Sequence, residues 1–362
     1  MTKLEQQVGG TGRNDPQLRQ LERDLQAVRS VYEEFLARSK ETRNQQNVQL
    51  PDARVLSPAA IPAVPVFPRY AQTIAVALIV GLMLGGVVVL LIERLDGGFR
   101  TEADVERLTG RSVVGMVPML NYREAGGLSP ARFVIEKSAS IYAEALRSTF
   151  TAISLKLDDQ LPRVLMVTSS LPDEGKSTFA SSLAGLVARS NPEKKVVIVD
   201  CDLRRSAVAS SLALANNEGT IDEYLAGTKT LDQVIGRDVS SGLYYILAKS
   251  NTPNSAELLE SSAMRSFIRA LGGQFDLVIL DTPPLMAVAD SRIAAQVADY
   301  IIFLIRWQRT PRELAINALR LLQDLHKEIG IVLSQVDVRR HAKYGYGDYG
   351  YYYSKYRSYY TR

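Results

Sequence analysis

Hydrophobic positions along this chain follow three regimes. Within residues 1–50, Leu18, Leu21, Leu25, Val28, Tyr32 and Phe35 recur at steps of three and four. That rhythm places all six on one stripe of a helix. Asp15-Pro16 supplies a helix start, and charged residues fill the other faces. Two readings stay open: an external coiled-coil arm used in assembly, or an amphipathic helix packed on its own domain. Ala71–Ile92 belongs to a second regime, with no charged residue and no polar stripe. At ~1.5 Å per residue it reaches about 33 Å, enough for a ~30 Å hydrocarbon core. The pattern predicts a transmembrane helix over 71–92. Tyr70 stands at its boundary, and Gly81 and Gly85 form a Gly-x-x-x-Gly pair.

The third regime is a series of short apolar runs: Val164–Val167, Val196–Val199, Leu243–Leu247, Leu277–Leu280, Tyr300–Ile305 and Ile331–Leu333. Helical segments separate them, among them Phe179–Val187, and another, Ile141–Leu155, precedes the first. Strands alternating with helices predict an α/β fold with a doubly wound, mostly parallel sheet. The expected layout is a helical segment over 1–50, a proline-rich connector over 51–70 and the membrane helix over 71–92. A juxtamembrane region and linker over 93–132 follow, containing a short helix capped by Thr101 and a strand over Ser112–Val117. A folded domain over 133–342 and a tyrosine-rich tail over 343–362 complete it. Prolines 51, 58, 62, 65 and 68 make the connector stiff and extended.

Composition narrows the picture further. A formal charge of +4 over 362 residues is too small to imply a nucleic-acid partner. The single cysteine, Cys201, excludes an internal disulfide and suits a reducing compartment. Met1–Gly10 lacks the basic start and apolar run of a secretory signal.

Chemistry concentrates in Ser170-Leu171-Pro172-Asp173-Glu174-Gly175-Lys176-Ser177-Thr178, between the first apolar run and a small-residue helix. Strand, loop and helix start are the context of a phosphate-binding loop. Backbone N–H groups converge on phosphate oxygens there, Lys176 adds a point charge, and the Ser177 hydroxyl is a ligand for Mg²⁺. Ser170 occupies the place of the usual first glycine. Two further apolar runs end in acids: Asp200-Cys201-Asp202-Leu203-Arg204, and Asp281-Thr282-Pro283-Pro284. An acid at the end of a buried strand is alone more often a cap or turn former. Three of them beside a phosphate loop point to metal binding.

These motifs together resemble the bacterial tyrosine kinases, whose Walker A, A′ and B motifs match the loop and the two acidic strand ends. The proline-rich connector and membrane helix ahead of them resemble the polysaccharide co-polymerases that carry this kinase. Partitioning ATPases share part of the set, but they carry a second lysine where this chain has Leu171. The resemblance implies ATP and Mg²⁺ as cofactors and phosphoryl transfer to tyrosine. Catalytic roles fall to Lys176, Asp200, Asp202 and Asp281. Nucleotide contacts fall to Ser170, Asp173, Glu174, Gly175, Lys176, Ser177, Thr178 and Arg204. Metal binding falls to Ser177, Asp200, Asp202 and Asp281. A neighbouring carboxylate assists loss of a phenolic proton of pKa ~10, and by family analogy it is Asp200.

Acceptors are the clustered Tyr344, Tyr346, Tyr349, Tyr351, Tyr352, Tyr353, Tyr356, Tyr359 and Tyr360. Their phosphorylation would make a slightly basic tail strongly anionic. Implied partners are further copies of the chain, the bacterial inner membrane, polysaccharide polymerase and export proteins, and a tyrosine phosphatase. Arginines after the membrane helix (94, 100, 107, 111) outnumber those before it (54, 69), and an ATP site must face the ATP pool. Both orient the C-terminal side to the cytoplasm. Glu144 and Arg147 match two positions of a three-charge family helix motif used between ring neighbours, while Phe150 takes the third. A ring contact and a salt-bridged surface helix both fit. Ser334 replaces an asparagine common at its strand end, leaving base recognition there open. The chain also begins within the would-be external coiled coil, without an earlier membrane helix, as a truncated or split product would. Two other functions compete with the kinase: a switch ATPase, and a catalytically silent chain-length scaffold.

Overall fold

The computed structural model describes residues 16–48, 67–95, 97–121, 123–157, 162–214 and 219–341. The tyrosine cluster and most of the proline-rich connector lie outside these residues. By its internal contacts the chain divides into two units, residues 1–81 and 82–362.

In the first unit a helix runs over Pro16–Val48, starting at the proline as the pattern predicts. Leu21, Leu25, Val28, Tyr32 and Phe35 of its apolar stripe are exposed. A second helix covers Tyr70–Leu95, and its 21 residues from Tyr70 to Leu90 are long and apolar enough to cross a membrane.

The second unit is built on eight strands. They are β1 Val113–Pro118, β2 Val164–Ser169, β3 Val196–Asp200, β4 Ile235–Arg237, β5 Tyr244–Ile246, β6 Leu277–Asp281, β7 Tyr300–Arg306 and β8 Glu328–Val336. Their order across the sheet is β1-β8-β7-β2-β6-β3-β5-β4, and every pair is parallel except β4 with β5. β4 has no counterpart among the predicted strands. At three residues it is too short to show a period, and it rests on hydrogen bonds from β5 alone.

Continuous apolar runs become central strands because helices cover both faces of the sheet. Alternation then deals successive side chains to opposite cores. Ile301, Phe303 and Ile305 enter one cluster, while Tyr300, Ile302 and Leu304 enter the other. Both are closed to water, so the central strands form a rigid floor.

The expected domain start near Phe133 is corrected by the sheet. β1 is its edge strand, and the helix Glu102–Thr109, capped by Thr101 Oγ1 accepting from the Asp104 N–H at 3.1 Å, packs beside it. Residues 97–100 also belong to the fold. Gly97 and Phe99 carbonyls accept from the N–H groups of Arg312 (2.9 Å) and Gln308 (3.0 Å). The Arg100 carbonyl accepts from Trp307 Nε1 at 3.0 Å, and Phe99 is fully buried. A Cβ at Gly98 would lie 2.6 Å from the Gln308 carbonyl carbon, so only glycine fits this approach. Charged and polar residues make 93–100 read as a juxtamembrane piece, yet the carbonyls of Gly97, Phe99 and Arg100 bind the turn after β7, while β1 pairs with β8. The stretch expected as a linker over 121–132 likewise contains the start of a helix, Pro130–Glu136, capped by Ser129.

Candidate active site

β2 delivers the phosphate loop to the carboxyl edge of the sheet, where ligands of such folds bind. The helix Lys176–Ser190 begins immediately after it, with Gly175 in a left-handed conformation at φ 90°. The first N–H groups of a helix have no partner within it and carry the positive end of its dipole. They therefore form a cradle for an anion. Asp173 also adopts positive φ, at 62°, which lets the loop fold back on itself. Beside the loop a cavity of about 170 Å³ is lined by Leu120, Tyr142, Gly175, Thr178, Phe179 and Gln335, among others.

Two predicted contact residues in this loop face each other instead. Ser170 Oγ donates to both carboxylate oxygens of Glu174, at 3.2 and 3.1 Å, and the Leu171 N–H donates to Oε2 at 2.7 Å. Glu174 is buried, and its carboxylate turns into the loop. The physical reason is that a buried anion needs donors, and the loop supplies them. The Asp173 carbonyl accepts from Arg306 (3.3 Å) and Gln335 (3.1 Å), so Asp173 too contributes to the loop's outer wall.

Parallel register brings the acids together. Asp281 of β6 lies opposite Asp200 of β3 on one side and Val167 of β2 on the other. Asp281 is fully buried, and neither of its carboxylate oxygens has a hydrogen-bond partner. Burial first, then the Asp200 charge, pushes its carboxyl well up, against the pull of the nearby Ser177 hydroxyl and the Lys176 ammonium. Burial likewise raises Asp200 to about 7. Two buried oxygens without a hydrogen-bond partner, near Ser177 and Lys176, fit a hydrated cation.

Asp200 and Asp202 are committed differently from expectation. Asp200 accepts from the Asp202 N–H (3.1 Å), Ser206 Oγ (2.7 Å), and the N–H groups of Ala207 (3.2 Å) and Val208 (3.3 Å). It caps the chain as it leaves β3, which occupies the oxygens that a direct metal bond would need. Asp202 Oδ1 accepts from the N–H groups of Arg204 (3.2 Å) and Arg205 (2.8 Å), closing a turn. Among the described residues, no cluster of three or more His, Cys, Asp or Glu side chains is arranged to hold a metal. A cation here would rest on Ser177, Asp281, nucleotide oxygens and water, which suits Mg²⁺.

Arg204, expected at phosphate or a neighbouring subunit, pairs with the buried Asp290 at 3.1 Å. Ser334 Oγ donates to the Glu174 carbonyl at 2.6 Å, so its hydroxyl serves the loop rather than a base. Glu144 and Arg147 form an ion pair on their helix, and Arg147 also donates to the Ser138 carbonyl at 3.1 Å. Sequence reading missed Arg306, Thr310 and Gln335, which line the back of the loop. Their only signal was position: each follows or ends an apolar run at the ligand edge of the sheet.

A parallel sheet with this loop between strand and helix, and acids at the flanking strand ends, defines a P-loop NTPase fold. Residues 15–94 match the family model described as "G-rich domain on putative tyrosine kinase", and residues 172–334 match an AAA domain model. Succinoglycan biosynthesis transport protein ExoP of Rhizobium meliloti (strain 1021) is 30% identical over 356 residues, covering 91% of this chain and 45% of that protein. Tyrosine-protein kinase etk of Escherichia coli (strain K12) is 29% identical over 361 residues, covering 95% of this chain and 49% of that protein. The solved kinase domain of the Escherichia coli tyrosine kinase ETK superposes with a TM-score of 0.58 at 28% identity, covering 63% of this chain and 91% of that one. The chain thus spans about half the length of the curated relatives it matches. It belongs to the bacterial tyrosine kinases of the exopolysaccharide class.

Proposed function

We propose that the chain is a membrane-anchored, ATP- and Mg²⁺-dependent protein tyrosine kinase that phosphorylates the C-terminal tyrosines of a neighbouring copy. Through that modification it regulates polymerisation and export of a capsular or extracellular polysaccharide. One observation carries the reading: the fully buried, unpartnered Asp281 carboxylate stands between the phosphate-loop strand and Asp200. A static fold has no use for such a group, whereas a phosphoryl-transfer site does.

Transfer of a γ-phosphoryl group depends on positioning and charge neutralisation. Lys176 holds the outer phosphate oxygens, and Thr178 holds the inner phosphate. Bound Mg²⁺ would neutralise phosphate charge in the transition state. Ser177 and Asp281 would hold it, with Asp202 contributing through water. By family analogy Asp200 takes the phenolic proton, on an oxygen released from one of its four donors, as the tyrosine oxygen attacks the γ-phosphorus and ADP leaves. Its raised proton affinity brings it near the operating pH, where a general base works best. Ser170, Asp173 and Glu174 shape the loop, and Arg204 orders the strand exit through Asp290.

The acceptors are Tyr344, Tyr346, Tyr349, Tyr351, Tyr352, Tyr353, Tyr356, Tyr359 and Tyr360. The chain sits in the bacterial inner membrane, crossing once here with the kinase in the cytoplasm, a reading supported by the length and apolarity of the Tyr70–Leu90 helix and by the arginines after it. Partners are other copies in a ring, polysaccharide polymerase and export proteins, and a tyrosine phosphatase.

Incubating the full chain in detergent with γ-labelled ATP and Mg²⁺ should label tail tyrosines, as read by peptide mapping. Lys176→Met should lower labelling at least ~100-fold, as loss of a main transition-state charge contact does. Hydrolysis without protein labelling would instead identify a switch ATPase, and neither activity would identify a scaffold.

A further inference from the structure

We infer that Thr310 and Glu174 form a positioning pair that preorganises the phosphate loop from behind, a role that rests on the nucleotide-binding reading above. Thr310 follows β7 and is buried, and its Oγ1 donates to Glu174 Oε1. The direction of that bond is settled by a second one. The Arg306 N–H donates to the same Thr310 oxygen at 2.9 Å, so the hydroxyl proton is left to point at Glu174. Glu174 then has three donors, Ser170 Oγ, the Leu171 N–H and Thr310 Oγ1, two from inside the loop and one from outside.

This arrangement answers two features of the loop. Ser170 stands where a glycine is usual, and its hydroxyl becomes the internal brace for Glu174. A buried carboxylate beside a phosphate cradle would oppose the anion unless its charge were absorbed elsewhere. Here its charge is absorbed by a set of donors from the loop and from Thr310. The ends of β7 and β8 complete the frame, since Arg306 and Gln335 hold the Asp173 carbonyl and Ser334 holds that of Glu174. Among the described residues, Thr310 is the side chain that links this frame to the Glu174 carboxylate.

Thr310→Val keeps the shape but removes both the donor to Glu174 and the acceptor of the Arg306 N–H. Thr310→Ser keeps both. For the full chain in detergent, well below its unfolding temperature, Thr310→Val should weaken Mg·ADP binding about tenfold, as loss of a buried hydrogen bond to a charged group does. Thr310→Ser should stay within about twofold of the parent, and Glu174→Gln, which sets an amide against donors, should weaken binding at least as much as the valine change. A purely structural role would lower thermal stability equally in valine and serine variants, or leave the affinity of the folded protein untouched. Equal Mg·ADP affinity in Thr310→Val and Thr310→Ser overturns the pair. Absence of Mg·ADP binding by the parent chain overturns it together with the nucleotide reading. Mg·ADP binding with no tyrosine labelling removes the kinase reading alone.

Discussion

Asp281 concentrates the site's chemistry in one residue. Its carboxylate has no partner and lies across from a second buried acid in β3. Both carboxyls bind protons more tightly folded than unfolded, chiefly through burial, with Asp200 at about 7 against an ordinary 3.8. The sign of the linkage follows: the Asp200 contribution to stability is fully present below about pH 4 and is lost as pH rises through about 7, and that of Asp281 falls with rising pH in the same direction. The unliganded chain should therefore show a falling thermal midpoint between pH 4 and 7.5. Asp281→Asn should flatten that fall and raise the unliganded midpoint at pH 7.5 by a few degrees, ~4 °C per kcal/mol of relief in a domain of this size. The same variant should lose most of the upward shift produced by Mg·ADP. A parent midpoint that rises steadily to pH 7.5 would remove the argument. Neighbouring Asp200 shows the opposite commitment, because four local donors hold it where it leaves the strand. Apolar runs ending in acids made both carboxylates legible; which oxygens stay free depends on the path of the backbone beyond the strand.

At the scale of elements, the segment Gly97–Arg100 has the largest consequence. It pairs with the turn after β7, the same turn that presents Thr310 to the phosphate loop. The closeness of that pairing depends on Gly98, where a side chain would strike the Gln308 backbone. Gly98→Ala should destabilise the fold by about 1–3 kcal/mol, the usual cost of overpacking a tight site. Denaturant unfolding measures it, and an unchanged midpoint would show that the strip is not held. Strands β2, β3, β6, β7 and β8 could be read from apolar runs because the local pattern and the final state agree. β1 was legible as a strand but not as part of the sheet. Its partner β8 lies more than two hundred residues away, and no local period reports such a pairing.

For the whole molecule, the arrangement about a bilayer is the feature to test. Arginines are more numerous after the apolar helix than before it, which supports the proposed orientation with the phosphate-loop domain on the cytoplasmic side. Protease added to intact spheroplasts should digest residues ahead of Tyr70 and spare those after Leu95, with mass spectrometry of the retained fragment as the readout. Digestion of the phosphate-loop domain would reverse the proposed topology. Order along the chain was enough to establish the P-loop class, the membrane-length helix and the loop over residues 170–178 at a helix start. Each depends on neighbours in sequence: a strand, a glycine turn and a helix start, or an unbroken apolar run. Folding alone decided that Asp281 stays unpartnered, that Asp200, Asp202 and Arg204 are tied locally, and that Thr310 reaches Glu174. Those outcomes depend on which distant strand ends the sheet sets side by side, and a buried charge takes its role from whichever donors arrive there.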